Sequence, residues 1–220
     1  SGPFMAAVDN LNVTITGTQA HGASPWSSVD PIVTSAQAIM GLQTILSRNV
    51  NITENPAVVT VGAIHGGIRH NIIPEKVEMI GTIRTFGDEQ QALVHRRITE
   101  IITNIAESAG AKADVNIGKL YPSTVNPPEL TAKVLPSVES AAGKGNVIAM
   151  PPVTGAEDFS FFQREKPGFF FFLGGMKKGG DPLITPSHHT PDFFIDESGF
   201  LLGVRTLSYL TVDYMEMNKK

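Results

Sequence analysis

The chain has 220 residues, 41% hydrophobic and 17% charged, which describes one large or two small globular domains rather than a disordered segment. A formal charge of −4, from 17 basic and 21 acidic residues without a basic cluster, argues against nucleic-acid and anionic-membrane partners. The lack of cysteine excludes disulfides and thiolate ligands within the chain, and the longest apolar run, Phe169 to Leu173, is far too short to span a bilayer.

The first residues offer no basic region followed by a long apolar core, so no secretory signal is read here and a cytoplasmic location is expected. Leu11, Val13 and Ile15 alternate with Asn12, Thr14 and Thr16, the period of a half-buried strand. Asp30-Pro31 offers a cap and a first-turn proline for a helix carrying Ile32, Ala36, Ile39, Gln43 and Leu46 at helical spacing. Val58 to Ile64 is a β-branched run. Val77, Met79 and Ile83 alternate with polar neighbours, which predicts a further strand. Asp88 opens a second helix with Leu93, Ile98, Ile101, Ile102 and Ile105 on one stripe and Gly110 as its stop. Val115 and Ile117 predict a closing strand.

The order β-α-β-β-α-β over 11–119 is that of a ferredoxin-like α+β unit, two helices on one face of an antiparallel sheet. Its bare face must be solvated or met by a partner. The proline-rich stretch YPSTVNPPE (121–129) marks a boundary. Beyond it come a helix from Leu130 to Ala142 that Pro136 should kink, short strands at Val147–Ala149 and Phe169–Leu173, and helices over 157–163 and 198–212. Two strands do not make a stable sheet. Residues 1–10 and 120–220 therefore read as part of a larger α/β domain into which the unit at 11–119 is inserted.

Polar residues beside Gly or Pro mark four segments where a turn presents chemistry: QAHGASPW (19–26), GGIRHNIIP (66–74), GTIRT (81–85) and HHTPDFFIDE (188–197). A neutral imidazole is a common metal ligand, yet a histidine pair such as His188-His189 also suits a hydrogen-bonded surface site. His21, next to Gly22, reads equally as a solvated turn residue. Arg84 has the fork that grips a carboxylate, or it is a charge guarding an edge strand. Glu157 and Asp158 follow a glycine where a helix starts, so capping competes with a role in a pocket. GGMKKGG (174–180) lacks the spacing of a phosphate-binding loop.

In this order the segments resemble the M20 metallopeptidase family, closest to its amidohydrolase branch, which cleaves hippurate, N-acyl amino acids and indoleacetyl amino acids. The resemblance runs along nearly the whole chain but lacks the family's N-terminal metal-binding half, with most ligands and the general base. It implies an α/β catalytic-domain fragment carrying a ferredoxin-like lid that forms a homodimer. It also implies a divalent metal pair (zinc, manganese, nickel or cobalt) with His189, which has the His-x-Pro spacing, as one ligand. By the same resemblance His21 donates to the oxyanion, often across subunits, Arg84 and Asn71 hold the substrate's carboxylate end, and Glu157 lies near the substrate. Arg69 and His70 depart from the small residues expected at their positions. The alternative from another class is a non-catalytic dimerisation or ligand-binding fragment, since one histidine cannot hold a metal pair.

Overall fold

The computed structural model describes residues 1–219. A short strand β1 (Gly2–Met5) leads into β2 (Ala7–Thr16), whose odd-numbered residues from Ala7 to Ile15 are all buried. There follow β3 (Ala20–His21), α1 (Pro31–Thr44), β4 (Val58–Gly66), β5 (Ile72–Ile73), β6 (Lys76–Thr85), α2 (Asp88–Ser108), β7 (Lys112–Tyr121) and β8 (Thr124–Asn126). The main sheet has the order β4-β6-β2-β7 and every pairing in it is antiparallel. Val13 stands opposite both Met79 and Val115, so one face collects the apolar side chains that α1 and α2 cover. The other face carries Asn10, Asn12, Thr82 and Arg84, and water solvates it without penalty.

Asp30 caps α1, its side chain accepting from the amides of Ile32 and Val33, with Pro31 in the first turn. The buried stripe differs from the one read in the sequence: Thr34, Ser35, Ala38 and Leu42 face inward, while Ile32, Ala36 and Gln43 are exposed. Apolar and small polar residues are spread around the helix, so periodicity alone could not choose its inner face. Close approach chose it. A Cβ on Gly41 would sit 2.7 Å from Cδ1 of Ile105, so α1 and α2 touch where the side chain is missing. On α2 the inner residues are Gln91, Val94, Ile98, Ile102 and Ala106. The helix ends as Gly110 predicts: its φ is +74°, its amide bonds Glu107 O at 3.0 Å, and Ala111 N bonds Ala106 O at 2.8 Å. Truncating a fully buried residue of this core such as Ile98 to Ala costs about 2–5 kcal/mol.

The chain forms two compact units. One holds Pro3–Val125 with Pro152–Lys166; the other holds Ser1–Gly2, Asn126–Pro151 and the chain from Pro167 onward. The second unit packs α3 (Pro128–Ala142) on a long terminal helix, Phe200–Met217. α3 runs on through Pro136 without interruption. The strands expected at 147–149 and 169–173 do not form: neither stretch belongs to a ladder. Without neighbouring strands their backbone groups need other partners. Phe170 finds one in the Asn126 amide, which donates to its carbonyl and accepts from its N–H, each at 2.7 Å. A short helix α4 (Phe159–Glu165) belongs to the first unit, and with it the terminal helix is α5.

Candidate active site

The segments of His21 and Asn71, fifty residues apart in sequence, are joined by backbone pairing at a two-stranded ribbon. β3 pairs with β5 so that His21 faces Ile72, and the Gly22 amide bonds the Asn71 carbonyl at 2.8 Å. A Cβ on Gly22 would lie 3.2 Å from that carbonyl group, which explains the small residue after His21. The imidazole is held as well as presented. Its Nδ1 accepts the Ala23 amide at 3.0 Å, so in the neutral ring the proton sits on Nε2 and points outward as a donor. Ser24 N bonds the His21 carbonyl at 2.8 Å and closes the turn. Beneath the ribbon lies a recess of about 400 Å³ lined by Gln19, His65, Ile68, Ile72, Pro74 and Glu78.

Arg84 is near the far end of β6, paired with Val8 on one side and Val58 on the other. The strand is therefore internal, which removes the edge-guarding reading. Its guanidinium donates to Thr82 Oγ1 and, at 3.1 Å, to the Ile83 carbonyl, on the face the helices leave bare. Eight residues of strand separate Lys76, next to the ribbon, from Arg84, about 27 Å at ~3.4 Å per residue. The structure thus unites His21 with Asn71 and separates both from Arg84.

Glu157 is half-buried on the segment that returns to the first unit. Val153 N bonds Phe4 O at 3.0 Å, and Ala6 N bonds Gly155 O at 2.9 Å. Neither acidic side chain caps α4; the Glu157 carbonyl instead accepts the Ser160 hydroxyl at 2.7 Å. His189 belongs to the other unit, exposed on a loop. Its φ of 62° is the only positive value for a non-glycine among the described residues, a strained conformation costing on the order of 1 kcal/mol or more. The adjacent His188 packs edge-on against Phe193, centroids 4.8 Å apart, in an apolar recess of about 410 Å³. Among the described residues no three His, Asp or Glu side chains gather to hold a metal ion. His189 by itself does not make a metal site.

Two polar arrangements escaped the sequence reading. Asp9 is fully buried, with its carboxylate taking both oxygens' bonds from the Gln91 amide at 3.1 and 3.0 Å and a 2.6 Å contact from His95. The signal was present, since Asp9 falls on the inward phase of β2 and Gln91 and His95 are one helical turn apart. Asp88 and Arg164 form a two-pronged ion pair, at 2.7 and 2.5 Å, for which spacing gave no signal.

Residues 8–110 match the family model of the peptidase dimerisation domain, M20_dimer. An N-acetyl-L-cysteine deacetylase from Bacillus subtilis is 38% identical over 91% of this chain and 46% of its own length. Thermostable carboxypeptidase 2 from Saccharolobus solfataricus is 34% identical over 97% of this chain and 53% of its own. A crystal structure of a dinuclear metal-binding M20 peptidase from Bacillus subtilis superimposes with a TM-score of 0.75 at 28% identity, over 98% of this chain and 52% of that one. The chain spans about half the length of the curated relatives it matches.

Proposed function

Because the chain belongs to the M20 peptidase family through its dimerisation domain, we propose that it is the lid and C-terminal part of a metal-dependent hydrolase. That enzyme cleaves the amide bond of N-acyl amino acids or short peptides. The names of the deacetylase and carboxypeptidase relatives support this substrate class. In this reading 11–119 is a ferredoxin-like lid and dimerisation domain, consistent with the strand order and with helices on one face only. The flanking residues, drawn in the sequence at 1–10 and 120–220, belong to the α/β catalytic domain, except that Ala7–Asn10 lie in β2 and Leu120–Tyr121 in β7 of the lid sheet, and Pro152–Lys166 pack with the first unit.

The observation that carries the proposal is the His21–Asn71 ribbon. With Nδ1 occupied by the Ala23 amide, Nε2–H is a preorganised donor for the negative charge that develops on a scissile carbonyl. Asn71, in the turn next to the ribbon, holds the substrate's amide or carboxylate. Arg84, with a fixed cationic fork, holds the substrate's carboxylate, and Glu157 contributes to the same pocket. His189 supplies one ligand to a pair of divalent ions, zinc, manganese, nickel or cobalt. The other donors come from residues beyond these 220.

The enzyme acts as a homodimer. A small substrate cannot span the length of β6, so Arg84 and the His21–Asn71 ribbon of the same subunit do not serve one molecule. A site that uses Arg84 of one subunit takes His21 of the partner subunit. Consistent with a second copy, α1 leaves Val33, Ala36 and Met40 exposed, and β4 offers an unpaired sheet edge.

In the full-length, metal-loaded enzyme, His21→Ala should lower kcat about 10²- to 10³-fold with metal content intact. His189→Ala should lower bound metal after dialysis, and His188→Ala should do so less. Wild-type turnover by the His21 variant, or unchanged metal in the His189 variant, overturns the respective assignment.

A further inference from the structure

Among the contacts that fasten α4 to the rest of the first unit are three that do not involve the residues assigned a part in the reaction. Gln163 Oε1 accepts the Val125 amide at 2.9 Å. The rings of Phe161 and Tyr121 lie 5.7 Å apart. Arg164 reaches the first turn of α2 and grips Asp88 with two nitrogens, Nη1 to Oδ2 at 2.7 Å and Nη2 to Oδ1 at 2.5 Å. The first two contacts are one amide bond and one tilted ring pair, neither of which has a single required orientation. The paired bonds of a guanidinium on a carboxylate do, because both groups are planar and the fork has one orientation.

Asp88 is itself anchored. It opens α2, where a negative charge is favoured by the helix dipole, and Gly87 before it is tied by its amide to Ser123 Oγ at 3.0 Å. The guanidinium also holds the Asp88 carboxyl below its ordinary range, chiefly through the hydrogen bonds, so the grip is charged at neutral pH. Glu157 lies one residue before the N-cap of α4, and its carbonyl takes the Ser160 hydroxyl, so it turns with that helix.

We propose that Asp88 and Arg164 are positioning residues, a clamp that sets the rotation of α4 and through it the placing of Glu157 relative to the unit carrying His21, Asn71 and Arg84. The proposal rests on the reading of Glu157 as a substrate-facing residue: backbone bonds at Val153 and Gly155 hold the segment before it, and the clamp sets the turn of the helix after it. Substrate affinity is then set partly by an ion pair that touches no substrate.

The test uses the full-length, metal-loaded enzyme and the four proteins of a cycle: wild type, Arg164→Met, Glu157→Gln and the double variant. Arg164→Met should raise KM about three- to tenfold and change kcat less than about twofold. Arg164→Lys should recover part of the loss, since it keeps the charge without the fork. In the Glu157→Gln background the Arg164 substitution should add nothing further, and amide exchange over 157–165 should quicken in Arg164→Met while the middle of α2 is unaffected. A Glu157→Gln enzyme with wild-type KM removes Glu157 from recognition and the clamp with it. If Glu157→Gln raises KM but Arg164→Met does not, or if the two effects multiply independently, the substrate reading survives and the clamp falls. Unchanged exchange over 157–165 also overturns it.

Discussion

Nε2 of His95 lies 2.6 Å from a carboxylate oxygen of Asp9, which is fully buried where α2 crosses β2. A carboxyl group withdrawn from water is tolerable only when its oxygens are engaged, and removing one partner leaves the desolvation cost uncompensated. His95→Ala should therefore lower the unfolding free energy by about 2–4 kcal/mol. Asp9→Asn should lower it by roughly 1–3 kcal/mol, because an amide also presents an N–H to donors already facing it. Urea denaturation measures both. A His95 variant within about 0.5 kcal/mol of wild type would mean that Gln91 alone satisfies the carboxylate.

The Asp88–Arg164 pair makes a second, pH-dependent contribution. Hydrogen bonds from Arg164 lower the Asp88 carboxyl from its ordinary value, and Asp88 raises the guanidinium in turn. With the folded value below the unfolded one, the stabilisation is fully present above the unfolded value and is lost as pH falls through the folded value. Both side chains are largely solvent-exposed, so the gap between wild type and Arg164→Met at neutral pH should not exceed about 1 kcal/mol. It should shrink below about pH 4 and close in strong acid. A gap that persists in acid would show that lost packing, not lost charge, explains the variant.

Arg84→Lys tests carboxylate recognition. The substitution keeps the charge and loses the fork, at an expected cost of about 1–3 kcal/mol in kcat/KM for free-acid substrates. Substrates with an amidated carboxylate should be poor for the wild type and barely worse for the variant. Equal turnover of both substrate forms by the wild-type enzyme rules the clamp on the carboxylate out.

Complementation tests the shared site. His21→Ala and His189→Ala enzymes, each inactive, should regain part of the activity once their subunits exchange, because one of the two mixed sites then has both residues intact. Light scattering that reports a monomer excludes the dimer. A mixed dimer that stays inactive after verified exchange removes the trans role of His21 and leaves the interface standing.

The sequence by itself determined the elements of the first unit and the turn chemistry between them. Alternation set the inward phase of β2 and β6, Asp30-Pro31 set the start of α1, and Gly110 set the end of α2. These are local signals, carried by side chains within one or two turns of each other, and local physics reads them. Asp9 escaped that reading, although the same alternation, carried two residues upstream, places it on the buried face. Only the tertiary structure decided what depends on distant pairing. It chose the inner stripe of α1 by the close approach at Gly41, and it made β6 an internal strand, so that Arg84 no longer reads as an edge charge. It joined the segments of His21 and Asn71 by backbone pairing, and it tied the segment before Glu157 to the first unit through Val153 and Gly155. At 147–149 and 169–173 the apolar β-prone runs form no strands, because a strand exists only through its neighbours. Propensity belongs to a segment and pairing belongs to the whole fold.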